Sequence, residues 1–301
     1  MKVIDTGDIG RYVALSDRLV LFPHGLNSTI VWDMEDNRST GVLEGHTNIV
    51  QDAAINDDAT MSLTMSHNNG VAWPVKIWSL GTMQCTANLT SSSYIHSLFK
   101  DCLLLESENT IKVWDIGGST PVALMDLEGH AHTVNHISVY SIVASCTSNV
   151  ALSGSALGYL CLWDLRTGKC VRVMEGHTDA VWSVSMDSAC KTAVSGSDDR
   201  SVKLWDLGSG RCINTYQHDQ EVQNVMMHES GGTFLAVGTF SIKAWTTTSG
   251  SDQHILEHDF SSYCNRAATV QGAASRDLSK VAMSYMRPDM AGLGVKMWKS
   301  N

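Results

Sequence analysis

Residues 195–207 read "SGSDDRSVKLWDL", and His177 stands in "EGHTDAVWSV", eighteen residues before the serine. Ser195, His177 and Asp199 supply the three residue types of a hydrolytic triad. The same three types also build buried hydrogen-bond networks. The flanking residues bear on the choice. "SVKLW" alternates its apolar side chains up to Trp205, as a strand with two distinct faces does. The Gly-, Ser- and Asp-rich run before it is turn chemistry.

The pattern recurs along the chain. Seven tryptophans end short β-rich runs: "STIVW" at Trp32, "PVKIW" at Trp78, "TIKVW" at Trp114, "YLCLW" at Trp163, "SVKLW" at Trp205, "SIKAW" at Trp245 and "GVKMW" at Trp298. The intervals are 46, 36, 49, 42, 40 and 53 residues. A period of this length, with turn signals between short strands, indicates four-stranded units rather than helical hairpins. Aspartate follows Trp32, Trp114, Trp163 and Trp205, and Gly-His pairs stand upstream at Gly45-His46, Gly129-His130 and Gly176-His177. "QHD" at His218 and "EHD" at His258 are weaker versions.

On these residues the sequence resembles the WD-repeat (WD40) family over essentially its whole length. The resemblance implies an all-β fold, a seven-bladed WD40 β-propeller with four antiparallel strands per blade. Seven units of about 40–45 residues fit the 301 residues as one domain, 1–301. Only "KSN" follows Trp298, so the last blade lacks an outer strand, and "MKVID" at the N-terminus is free to supply it. The ring would then be closed by the N-terminal strand, removing a sheet edge.

The resemblance also gives the opening residues a role. In this family a histidine, a serine or threonine, an aspartate and the tryptophan form a structural tetrad, and His177, Ser195, Asp199 and Trp205 match its four positions. A buried indole N–H needs an acceptor, and the serine can accept it while the histidine links serine to carboxylate. "AVSGSDDRS" contains no G-x-S-x-G elbow to expose a nucleophile. The expectation is therefore a chain with no catalytic residues. Other units keep less: Ser153 remains but Leu157 replaces the aspartate, and Leu104 stands in a serine position.

Composition excludes several classes. The net charge of −10 argues against sequence-independent binding to nucleic acid or anionic membrane. No apolar run is long enough to span a bilayer, and "MKVIDTGDIG" lacks a signal-peptide core. The eight cysteines form no CxxC pair, so neither metal nor other cofactor is expected, and reduced cysteines suit a cytoplasmic or nuclear compartment. "GHAHTVNH" alternates histidines, but His130 belongs to the Gly-His pattern.

What remains is binding to other proteins or peptides, by a monomeric propeller within a larger complex. The family's contact positions, three and five residues beyond each histidine, correspond to Ile49 and Gln51, Thr133 and Asn135, Ala180 and Trp182, Glu221 and Gln223. Two enlarged loops, "SHNNGVAWPVKIW" and "SYMRPDMAGLGVKMW", would bring Trp73, Tyr285, Met286, Arg287 and Met290 to the same top face. Trp182 is the natural anchor. "WDLR" at Trp163–Arg166 is similar to the end of the box by which some WD-repeat proteins dock onto the adaptor of cullin-RING ubiquitin ligases. Arg166 would carry that contact in a substrate receptor.

Overall fold

The computed structural model describes residues 2–5, 12–56, 58–66, 73–91, 95–99, 102–107, 110–118, 120–127, 139–145, 149–238, 241–247, 254–259, 272–274, 280–286 and 293–299. Asn135 and Arg287, like Thr133, His130 and Met290, lie outside the described residues. Among the described residues there are only strands, and they pair into four-stranded antiparallel sheets.

After β1 (Lys2–Asp5), sheet one comprises β2 (Ala14–Leu15), β3 (Leu19–His24), β4 (Ser28–Asp33) and β5 (Arg38–Glu44). Sheet two is β6 (Val50–Ile55), β7 (Met61–Ser66), β8 (Trp73–Ser79) and β9 (Gln84–Ser91). Sheet three is β10 (Ile95–Phe99), β11 (Cys102–Ser107), β12 (Thr110–Asp115) and β13 (Val122–Leu127). Sheet four is β14 (Val139–Ser145), β15 (Val150–Ser155), β16 (Tyr159–Asp164) and β17 (Lys169–Glu175). Sheet five is β18 (Val181–Met186), β19 (Thr192–Ser197), β20 (Ser201–Asp206) and β21 (Arg211–Gln217). Sheet six is β22 (Val222–Met227), β23 (Thr233–Gly238), β24 (Ser241–Thr246) and β25 (His254–Asp259). Sheet seven is β26 (Gly272–Ala274), β27 (Lys280–Met286) and β28 (Leu293–Lys299), with β1 added outside β28. That last pairing runs from Lys2 opposite Met297 to Asp5 opposite Gly294, so the N-terminal strand is the outer strand of the last sheet.

The chain divides into two compact units. One comprises Met1–Glu108, Val113–Leu124 and Tyr263–Asn301, and holds sheets one, two and seven. The other comprises Asn109–Lys112 and Met125–Ser262, and holds sheets four, five and six.

Each repeated tryptophan stands at the end of the third strand of its sheet, and at five of them the register with the outer strand shifts. The shift falls at Trp32, Trp78, Trp163, Trp205 and Trp245, where the outer strand carries one extra residue. Such a bulge bends the strand and increases its twist. Trp78, Trp163, Trp205 and Trp245 are fully buried. Trp205 packs with Leu152, Leu160, Leu162 and Met174 of sheet four, and Trp245 with Val194, Val202, Leu204 and Tyr216 of sheet five. In the other unit Trp78 packs with Leu21, Val31 and Leu43 of sheet one. The indoles of Trp78, Trp205 and Trp245 therefore fill the space between their own sheet and the one before it.

The "SGS" runs at 153–155 and 195–197 serve the same packing. A Cβ on Gly154 would lie 2.6 Å from Val181 Cγ1, and one on Gly196 would lie 2.5 Å from Val222 Cγ1. Glycine there lets the first strand of the next sheet approach closely.

Candidate functional site

The network around Ser195 is complete. Trp205 Nε1 donates to Ser195 Oγ at 2.8 Å. Ser195 Oγ lies 2.7 Å from His177 Nε2, and His177 Nδ1 lies 2.7 Å from Asp199 Oδ2. One assignment satisfies all of these contacts: the serine hydroxyl donates to Nε2 and the Nδ1 proton goes to the carboxylate. Asp199 also accepts the Thr178 and Ser201 N–H groups and the Ser201 hydroxyl. Burial works to raise the Asp199 carboxyl. The hydrogen bonds from His177 and Ser201 outweigh it and hold the group well below the usual carboxylate range. Ser195 is wholly buried, so its hydroxyl joins strands and presents no nucleophile to a substrate.

The other sheets carry parts of this arrangement. In sheet two, Trp78 Nε1 and His46 Nε2 both meet Thr64 Oγ1 at 2.7 Å, while His46 Nδ1 has no partner among the described residues. In sheet four, Trp163 Nε1 donates to Ser153 Oγ at 2.9 Å, and Leu157 occupies the aspartate position, 58 % exposed. In sheet six, Ala236 takes the serine position opposite Lys243, and Lys243 reaches Asp219 at 2.6 Å.

The aspartate after the tryptophan has a separate, local task. Asp33 accepts the Glu35 and Asp36 N–H groups, Asp115 that of Gly117, Asp164 that of Arg166, and Asp206 that of Ser209. Each carboxylate caps the turn leading to the outer strand.

A family model described as "WD domain, G-beta repeat" matches residues 168–206. That span is β17 to β20, the outer strand of sheet four followed by three strands of sheet five. Residues 168–206 therefore carry a WD40 repeat. A single WD40 repeat here straddles two sheets, so successive sheets interlock through the chain itself. The chain is also similar to curated proteins, one of them named for its WD repeats. The chain is 26 % identical over 190 residues to Mitochondrial division protein 1 of Candida glabrata, covering 52 % of this chain and 26 % of that one. It is 25 % identical over 193 residues to WD repeat-containing protein pop1 of Schizosaccharomyces pombe, covering 60 % and 23 %. It is 33 % identical over 167 residues to U3 small nucleolar RNA-associated protein 15 of the same yeast, covering 54 % and 33 %. The matches thus span a quarter to a third of these relatives' own lengths. The all-β sheets belong to the WD40 β-propeller class, and WD40 repeats in general serve as interaction scaffolds.

The candidate contact residues of the WD40 chain fall in different settings. Trp182 is the second residue of β18 and 37 % exposed, whereas Ala180 is buried. The Trp182 indole hydrogen-bonds the Asp198 carboxylate. Burial raises the Asp198 carboxyl, and the charges of Glu221, Asp179 and Asp199 raise it further against that bond. The partly exposed indole therefore neighbours one member of an acidic cluster. Glu221 is exposed and Gln223 half-buried on β22. Asp198 was not among the expected site residues; its signal is the Asp doublet in "SGSDDRS", whose second member alone enters the tetrad.

In the other unit Ile49 is exposed and Gln51 half-buried on β6. Trp73 is the first residue of β8, not a loop residue, and leans on the cluster of Leu63, Met65, Val75 and Ile77. Tyr285 and Met286 lie on β27. A cavity of about 330 Å³ opens beside Met61, Ile77, Thr86, Ile116 and Pro121, and no titratable side chain lines it. Arg166 is 72 % exposed, and its guanidinium forks onto Asp164 at 3.1 and 3.0 Å. No group of three His, Cys, Asp or Glu that could hold a metal occurs among the described residues. No helix among them is long and apolar enough to cross a membrane.

Proposed function

We propose that this chain is a non-catalytic scaffold that holds a basic segment of a partner protein against Trp182. The observation that carries the reading is Trp182 itself. It is a large aromatic left open on a strand whose other apolar side chains point inward, and it meets Asp198, a carboxylate that Asp179, Asp199 and Glu221 make part of a negative cluster. Its ring offers an apolar and cation-attracting surface, and the carboxylates favour a lysine or arginine at its edge. The propeller acts as one domain, monomeric within a larger complex, and the free thiols of the described cysteines suit a cytoplasmic or nuclear setting.

A second reading, docking on a ligase adaptor, has the support of Arg166. Its guanidinium is open to solvent yet held in one orientation by Asp164.

One experiment separates the two. Affinity purification with mass spectrometry is run on wild type, Trp182→Ala and Arg166→Ala. The scaffold reading expects partners lost with Trp182→Ala, kept with Arg166→Ala, and weakened by salt, which screens rim charges. Ligase-adaptor subunits that vanish only with Arg166→Ala would favour the second reading. A partner set unchanged by Trp182→Ala would remove the first.

A further inference from the structure

Three sheets carry a cysteine opposite the repeated tryptophan. Cys85 faces Trp78, Cys170 faces Trp163 and Cys212 faces Trp205, each just past the bulge. Their sulfurs take the same local bond, to the carbonyls of Ala87, Arg172 and Asn214 at 3.3, 3.3 and 3.2 Å. What stands beside them differs. Two residues before the tryptophan, on the same face of the strand, sheets two and five have Lys76 and Lys203, which bond to Asn88 and Thr215. Sheet four has Cys161 there, wholly buried. The register sets Cys161 opposite Val173 and Trp163 opposite Cys170, so the two thiols are diagonal neighbours on one face of β16 and β17. Each thiol is the largest influence on the ionisation of the other.

We propose that Cys170 and Cys161 form an oxidisable dithiol, which a hydroperoxide converts into a disulfide between β16 and β17. The half-buried Cys170 reacts first. Its thiolate attacks one peroxide oxygen, the O–O bond breaks, hydroxide leaves, and Cys170 becomes a sulfenic acid. The Cys161 sulfur then attacks the Cys170 sulfur, the S–O bond breaks, and the hydroxyl leaves with the Cys161 proton as water. Two thiols lose two electrons in all, and hydrogen peroxide becomes two waters. The nearness of the two thiols supports this order of events: Cys161 draws the Cys170 thiol down towards its reactive, ionised form, and its own thiol is pushed up. Cys212 is the internal control: it has the same backbone setting and is more exposed, with Lys203 in the place of Cys161.

The test treats the folded chain with hydrogen peroxide, blocks remaining thiols with iodoacetamide, and maps the peptides by mass spectrometry. The expected product is a peptide pair linked through Cys161 and Cys170, lighter by two hydrogens and restored by dithiothreitol, with Cys212 still alkylated. In Cys161→Ala the Cys170 sulfenic acid has no resolving partner, and dimedone should label it several-fold more than in wild type. Alkylation of Cys170 after peroxide to the same extent as Cys212 would overturn the proposal. Should Cys161→Ala fail to fold, Cys170→Ser at the half-buried position supplies the check. Cys161 must then stay reduced, and its oxidation in that variant would also overturn the proposal.

Discussion

The indole N–H of Trp205 donates to the hydroxyl of Ser195 across 2.8 Å, and that hydroxyl in turn meets His177. In the neighbouring sheet Trp163 makes the same bond to Ser153 at 2.9 Å, but the aspartate position there holds Leu157. The two serines therefore do unequal work. Ser195→Ala orphans both a buried indole donor and an imidazole acceptor, each costing about 1–3 kcal/mol. The expected loss on urea unfolding is about 2–4 kcal/mol for Ser195→Ala and about 1–2 kcal/mol for Ser153→Ala. Equal losses would mean that the histidine and aspartate add nothing to the bond.

His46 gives the stability a distinct pH dependence. Burial first, then the Lys76 ammonium, push its imidazole down to about 4, although the Thr64 contact opposes this. The unfolded chain takes up that proton near the ordinary histidine value of about 6.5. Between these values the unfolded state binds more protons, so stability falls as pH falls. The contribution is fully present above pH ~6.5 and is lost on approach to about 4. His46→Gln can still bond Thr64 but cannot titrate. Thermal melts across this range should show the Tm of wild type dropping by several degrees more than that of His46→Gln. Parallel curves would refute the assignment. Asp199 acts further down, because its depressed carboxyl adds stability that disappears only as it is protonated in stronger acid.

Much of this was legible in the sequence, and the reasons are local. The alternation ending in "VKLW" and its six counterparts needs only a strand with one buried face, so the third strand of each sheet could be placed by eye. The outer strand supplied by "MKVID" followed from counting strands after Trp298. The diagonal placement of Cys161 and Cys170 was not legible, because it depends on a bulge at Trp163 that moves Cys170 by one residue relative to its strand. Nor was the place of Trp73, which reads as part of a long loop but begins β8, where an apolar cluster is available to it. Exposure at Trp182 also depends on what the next sheet covers, which one strand's pattern does not state.

Gly196 offers a test of sheet-to-sheet packing that touches no polar group. A methyl there would meet Val222 Cγ1 at 2.5 Å and Val225 Cγ1 at 2.8 Å. Gly196→Ala should destabilise by about 1–3 kcal/mol through overpacking. Val222→Ala removes the obstruction while leaving a cavity when made alone. The double variant should therefore be more stable than the sum of the single losses predicts, with a coupling of about 1 kcal/mol or more. Strict additivity would show that the strands give way elsewhere.

The N-terminal strand closes the set. β1 contributes four residue pairs to β28, from Lys2–Met297 to Asp5–Gly294, and covers the edge that β28 would otherwise expose. Deleting residues 1–6 removes those backbone bonds and leaves an open strand carrying Val295 and Met297 in its middle. An uncovered strand of this kind is a template for pairing with another chain. The truncated protein should melt several degrees lower and associate as concentration rises, which light scattering detects. A short peptide spanning residues 1–6, added in excess, should reverse part of both effects by re-forming the fourth strand. An unchanged melting curve after deletion would show that the pairing contributes nothing to stability.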